Sequence, residues 1–397
     1  MAYFKIGEDV YFVGAIHWDR RLFDELIPLP DGTSYNAYLV IGKEKVALID
    51  TVDPTTINEL MYNLKQLNVK KIDYIISNHA EQDHSGAIPL ILQEYTNSKV
   101  VTNKKCKSML KDLLLIPDEK FIEVNEGDKL DLGSKTLVFY NIPWVHWPET
   151  MATYLIEDKI VFTCDMFGSH IATSDIFDTK DFYLPAKRYY AEIMSPFRVN
   201  VRNNIEKIKK LDVEIIAPSH GYIFKNKDLI ISAYEEWSSE NVKNEVIIAY
   251  VSMHGSTLKI VEHLKEELIK RNLKVHYFNL TVTDLGAITM TLLDAATLII
   301  GAPIVLTGIH PLAAYVCYLF NLLRPKTKFL TFVSSYGWQL NISQHLLQHI
   351  SSLIPNLKAE LIQPLLINGF PKNDDFEKIN KLAEEIYLKH KSIGLTS

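Results

Sequence analysis

The 397-residue chain is 47% apolar and 23% charged, with 42 basic against 48 acidic side chains and a formal net charge of −6. This length carries two domains, at most three; the composition excludes wholesale disorder and fibrous repeats, and the acidic balance gives no electrostatic footing for nucleic acid. The three cysteines, Cys106, Cys164 and Cys317, lie far apart without a CxxC pair. They exclude a disulfide framework and a cysteine-built cluster, so any metal must use histidine and carboxylates.

The N-terminal MAYFKIGEDVYFVG has no basic segment leading into an unbroken apolar run, so no signal peptide is expected. β-rich runs near 10–14, 36–41, 46–51, 73–77, 99–102, 136–141, 152–157, 160–164 and 213–217 mix with amphipathic stretches near 55–67, 86–95, 105–113 and 200–210. That number of strands predicts two sheets flanked by helices. The polar stretch 233–245 then gives way to the β-apolar VIIAYVS, which sets a boundary near 243 and two domains, 1–243 and 244–397. Beyond it, strands at 246–251, 274–278, 297–301, 328–333 and 359–363 alternate with helices near 257–271, 285–294, 311–323, 338–352 and 375–390. Five βα units predict a doubly wound parallel sheet. The very apolar 295–323 is broken by Gly301, Pro303, Gly308, His310 and Pro311. A membrane span needs about 20 continuous residues, so a soluble, cytoplasmic chain is expected.

Chemistry concentrates at strand ends. YIISNHAEQDHSGAIPLIL (74–92) reads as a strand, a polar turn and a helix entered at Ser85-Gly86, with His79, Glu81, Asp83 and His84 inside six residues. In an extended turn alternate residues face one way, so His79, Glu81 and Asp83 converge while His84 turns toward a second position. His146, Asp165 and His220 follow later strands. Four histidines and three carboxylates exceed a one-metal facial site and suit two metals with one bridging carboxylate. Without thiolate, iron or manganese fits as well as zinc.

A second constellation follows the strand VIIAYV. Ser252, Met253, His254, Gly255, Ser256 and Thr257 lead into a helix, a cradle of amides and hydroxyls for a monophosphate such as that of FMN; lacking Lys, it is no Walker loop. Two further strand-end loops, Pro303, Ile304, Val305, Leu306 and Thr307, and Ser334, Ser335, Tyr336, Gly337 and Trp338, lie where ligands bind in this topology and supply an aromatic face.

Together SYNAYLV, NHAEQDHSGA, VHWPETM, FTCDMFGSHIA, APSHG, YVSMHGST, GAP…GIHP and SSYGW resemble the flavodiiron proteins over essentially the whole chain. The likeness is to A-type rubredoxin:oxygen and nitric oxide oxidoreductases and to the F420H2 oxidases. Glu81 stands where hydrolytic relatives of the metallo-β-lactamase superfamily carry histidine. The resemblance implies an α/β fold, an N-terminal metallo-β-lactamase-like αββα sandwich followed by a flavodoxin-like sheet. It also implies two non-haem irons, one held by His79, Glu81 and His146, the other by Asp83, His84 and His220, with Asp165 bridging, and FMN as second cofactor. In the flavin loops the chain departs from relatives at Val305-Leu306-Thr307 and Gln339-Leu340, and His170 resembles an outer-shell residue.

The implied activity is reduction of O2 to water, NO to N2O, or both, in oxygen detoxification and electron transport. O2 needs four electrons and two NO need two; a diferrous pair supplies two and reduced flavin two more. The two cofactors sit on separate domains with radii of gyration of roughly 18 and 15 Å. A head-to-tail homodimer, or a dimer of dimers, brings them together. Electrons come from a separate donor, rubredoxin or reduced F420. The rival readings are a binuclear zinc hydrolase with an appended flavodoxin domain, and an electron carrier or redox sensor with a vestigial metal site.

Overall fold

Along 10–13, 38–41 and 47–49 successive side chains fall alternately into two hydrophobic cores: Val10, Phe12, Tyr38, Val40, Ala47 and Ile49 into one, Val13, Leu39 and Leu48 into the other. A two-residue period buried on both faces is the signature of a strand covered on each side. The computed structural model describes residues 3–305, 308–338 and 352–396. The chain divides into two units, Met1–Tyr190 with Phe197–Ser238, and Ala191–Pro196 with Ser239–Ser397.

In the first unit, a seven-stranded sheet runs Phe4–Gly7, Val10–Phe12, Tyr38–Ile41, Val46–Ile49, Tyr74–Ile76, Lys99–Thr102, Phe121–Glu123. A five-stranded sheet runs Lys129–Asp131, Thr136–Asn141, Met151–Leu155, Ile160–Cys164, Ile215–Pro218. One core joins the inner faces of the sheets, with Ile76 and Val101 meeting Phe139, Leu155 and Phe162. The outer face of the first sheet packs on Leu60, Leu64, Ile88, Ile91, Cys106 and Leu110 from the helices Ile57–Gln66, Ile88–Glu94 and Lys104–Leu114. The sandwich fold expected from the resemblance is observed.

The second unit's sheet is parallel throughout, ordered Lys274–Asn279, Lys243–Tyr250, Ala295–Gly301, Phe329–Tyr336, then the edge. In order of sequence this is 2-1-3-4-5, the flavodoxin-like doubly wound arrangement, whose switch point lies between its first and third strands. The fifth strand differs from the expected 359–363: Glu360–Leu361 pairs with Phe329–Leu330, and Leu365–Asn368 pairs with Val333–Tyr336. Pro364, without an N–H to donate, separates the two pieces.

Two helices escaped the periodicity reading, Tyr183–Tyr189 and Lys227–Ser238. The second buries Ile230, Ile231, Tyr234 and Trp237, but its second half falls in the polar stretch 233–245 that reads as a linker. The helix expected over 338–352 falls almost wholly outside the described residues. Among the described residues no helix is long and apolar enough to cross a membrane.

Candidate functional site

A buried polar network aims the turn after Tyr74–Ile76. The Asn78 amide and side-chain Nδ2 donate to the two carboxylate oxygens of Asp50 at 2.8 and 2.9 Å, and Thr153 Oγ1 donates to Asn78 Oδ1 at 2.7 Å. Met151 N donates to the Asn78 carbonyl at 2.9 Å, so one asparagine ties the two sheets together beside the ligand turn. The chain then enters a helical turn at Gln82–Ser85. This start is earlier than the expected entry at Ser85-Gly86, and it overturns the extended-turn geometry. A helical turn rotates Asp83 away from His79 and Glu81 and sets it beside His84.

The later loops bring the remaining donors. Cys164 adopts φ 51° at the end of Ile160–Cys164 and turns Asp165 inward. Gly221 adopts φ 70°, and a Cβ there would lie 1.9 Å from Ser169 Oγ, so only glycine lets the chain leave His220 in this direction.

Two clusters result, His79, Glu81 and His146 with Asp165, and Asp83, His84 and His220. Glu81 Oε2 lies 3.1 Å from His79 Nε2 and 2.8 Å from His146 Nε2. His220 Nε2 lies 3.1 Å from Asp83 Oδ2, and His84 Nε2 lies 3.4 Å from Asp83 Oδ1. Asp165 faces both clusters: Oδ2 is 3.5 Å from Nε2 of His79 and of His146, while Oδ1 is 3.0 Å from His84 Nε2 and 3.3 Å from His220 Nε2.

The donor chemistry fits a pair of cations. Four imidazoles present Nε2 to the centre, and both buried oxygens of Asp83 lack a hydrogen-bond partner. Burial alone would lower the pKa of the imidazoles, yet the facing carboxylates raise His146 to about 9 and His220 to about 10 and push His79 well above its ordinary value. Burial would likewise raise Glu81 and Asp165, but the histidines around them hold both carboxyls below the usual range. Charge of both signs is thus concentrated in a low-dielectric pocket, the setting in which cations replace protons.

Two supporting side chains and one backbone carbonyl were not anticipated from the sequence. Glu149 Oε1 accepts from His79 Nδ1 at 2.7 Å and from the Ala80 amide at 3.1 Å. Tyr189 donates its hydroxyl to Asp165 Oδ1 at 2.8 Å. The Ser34 carbonyl accepts from His220 Nδ1 at 2.6 Å. Only an acidic residue three positions after His146, inside an apolar turn, hints at Glu149. His170 stays out of both clusters: its ring lies 4.9 Å from that of His220, and Nδ1 shares a 2.9 Å hydrogen bond with Thr33 Oγ1. Burial and the neighbouring His220 hold its pKa well below the ordinary value.

In the second unit, a cleft opens at the carboxyl ends of the first, third and fourth strands. Ser252, Met253, His254, Ser256, Thr257, Pro303, Ile304, Ser335, Tyr336 and Gly337 line it, joined by Gly369, which was not anticipated. Gly255, with φ 87°, starts the helix Ser256–Lys270, leaving amides of its first turn without intrahelical acceptors. Thr257 Oγ1 and Ser335 Oγ share a 2.9 Å hydrogen bond that ties the first loop to the third. Ser334 points to the other face of its strand and donates to the Ala302 carbonyl, and Trp338 is 74% exposed. Val305 belongs to a small hairpin with Gly308-Ile309, whereas Leu306, Thr307, Gln339 and Leu340 lie outside the described residues.

Residues 33–221 match the family model described as ODP family beta lactamase. The nitric oxide reductase of Moorella thermoacetica is 33% identical, the alignment covering 96% of this chain and 97% of that one. The flavo-diiron protein FprA2 of Clostridium acetobutylicum is 32% identical over 96% of this chain and 98% of its own. Among solved structures, the rubredoxin oxygen:oxidoreductase from Desulfovibrio gigas superposes with a TM-score of 0.92 at 28% identity, covering 98% of this chain and 99% of that one.

Proposed function

The chain belongs to the flavodiiron protein family and is an oxidoreductase, and from that premise we propose that it reduces O2 to water, NO to N2O, or both, at a diiron centre served by FMN. The observation that carries the reading is the division of Asp165, one oxygen toward each three-residue cluster. One iron is assigned to His79, Glu81 and His146, the other to Asp83, His84 and His220, with Asp165 between them. FMN is assigned to the cleft of the second domain, 244–397, and the irons to the first, 1–243. When bound, the two irons and the flavin supply the electrons for the reduction.

The protein's own groups prepare that chemistry. Glu149 and Ser34 hold the Nδ1 protons of His79 and His220, which points each Nε2 at the centre, where its lone pair would be free for a cation once that cation displaces the Nε2 proton. Tyr189 fixes the orientation of Asp165. At the cleft, hydroxyls and amides offer a monophosphate a neutral cradle, with Tyr336 beside it. The three cysteines, Cys106, Cys164 and Cys317, are buried and unpaired, and the relatives include a rubredoxin-oxygen oxidoreductase and F420H2 oxidases, so the donor assigned is rubredoxin or reduced F420.

The test is gas uptake by the iron- and FMN-loaded protein with a reduced donor. The wild type consumes O2 or NO, and Asp165→Ala loses at least about 100-fold of that rate while keeping its flavin spectrum. Undiminished uptake by the variant overturns the assignment, and ester hydrolysis by a zinc-loaded protein that consumes neither gas favours the hydrolase.

A further inference from the structure

The inner donors of the two clusters are balanced, each with two imidazoles, one terminal carboxylate and one oxygen of Asp165. Their outer partners are not. Behind His79 stands the fully buried carboxylate of Glu149, accepting from Nδ1 at 2.7 Å. Behind His220 stands only the neutral carbonyl of Ser34, and the buried Nδ1 of His84 has no hydrogen-bond partner. The hydroxyl of Tyr189 adds to the imbalance, drawing electron density from the Asp165 oxygen that faces His84 and His220. Asp50 is the other buried carboxylate nearby. Its oxygens accept from Asn78 and Ser219, and no hydrogen bond joins it to a ligand-type histidine.

We propose that Glu149 is a positioning residue that makes the two metal positions unequal, so that the cation held by His79, Glu81 and His146 is bound more tightly than the one held by Asp83, His84 and His220. A carboxylate accepting from a ligand imidazole fixes its tautomer and makes its free nitrogen a stronger donor. Glu149 also locks the two loops of its own cluster together. It lies three residues after His146, and its second acceptor contact is to the amide of Ala80, next to His79. Its carbonyl in turn accepts from Asn103 Nδ2 at 2.6 Å. The inference rests on the two-metal reading above and names the residue that breaks its symmetry.

The experiment is competition of the metal-free full chain with a chromophoric chelator for Zn(II), a probe without redox chemistry. The wild type takes up zinc in two steps separated by about tenfold or more. His146→Ala removes the tighter step and His220→Ala the weaker. Glu149→Gln keeps an oxygen that can accept from Nδ1 and from Ala80 but loses the charge; it weakens the tighter step about 10- to 100-fold and leaves the other unchanged. Two equal steps in the wild type, loss of the tighter step in His220→Ala, or a Glu149→Gln chain that weakens both steps alike or neither, overturns the proposal. Should Glu149→Gln not fold, the order of the steps in the wild type and the two histidine variants decides alone. A wild-type chain that takes up no zinc overturns the metal reading together with the proposal, whereas zinc uptake without gas consumption overturns only the assigned reaction.

Discussion

At the scale of single residues, the centre depends on buried side chains that hold the ligand-type residues in place. Tyr189 is the clearest: it is 1% exposed, burial and the nearby Asp165 raise its pKa well above the ordinary phenol value, and its hydroxyl donates to Asp165. Tyr189→Phe leaves that oxygen of Asp165 short of a donor. Denaturant melts of the metal-free protein are expected to fall by about 1–3 kcal/mol, the range for a buried hydrogen bond to a charged acceptor. A loss within error would show that the histidines around Asp165 already satisfy it. Gly221 works through the backbone, since its positive φ and the closeness of Ser169 leave no space for a Cβ.

At the scale of elements, the helix Lys104–Leu114 is joined to the centre through its cap. Asn103 Oδ1 accepts from the amides of Lys105 and Cys106, and its Nδ2 reaches the Glu149 carbonyl. Asn103→Ala is expected to lower stability by about 1–2 kcal/mol, measured by thermal unfolding. In the second unit, the helix Asn373–Ser392 places His390 against the sheet, with Nε2 at Thr297 Oγ1 and Nδ1 at Asn244 Oδ1. Burial lowers its pKa from 6.5 to about 4, so the native state keeps it neutral while the unfolded chain takes up a proton below pH 6.5. The unfolded state binds more protons in this window, so stability is complete above pH 6.5 and declines as the pH falls toward 4, by at most about 3 kcal/mol. Replacing His390 by Gln should flatten this part of the stability profile. The same elements show what a linear reading captures. The ligand-type residues were legible because they follow apolar runs that end abruptly in polar ones, as at Ile76 and Cys164. Glu149 and Tyr189 were not, because their partners lie 70 and 24 residues away and only the packed sandwich brings them together. The helix Lys227–Ser238 was hidden for a different reason: its second half runs into the polar stretch 233–245, which reads as a linker.

At the scale of the whole molecule, the proposed reaction needs electrons to pass from a site in one unit to a site in the other. A head-to-tail homodimer, the arrangement expected from the resemblance, would meet that need if one subunit's flavin served its partner's irons. Co-expressed chains, one carrying Asp165→Ala and the other a Gly255 substitution that strains the positive φ of the phosphate loop, are expected to regain turnover that neither variant has alone. Assays of the purified mixed species read this directly, and no recovery would confine transfer to a single chain. The centre itself draws its side chains from both halves of the sandwich, the turn after Tyr74–Ile76 on one side and the ends of Ile160–Cys164 and Ile215–Pro218 on the other. A metal pair seated there would act as a rivet through the seam between two layers. Stripping it should let the rims breathe while the layered interior stays shut, so loss of the cargo and loss of the architecture become separate events.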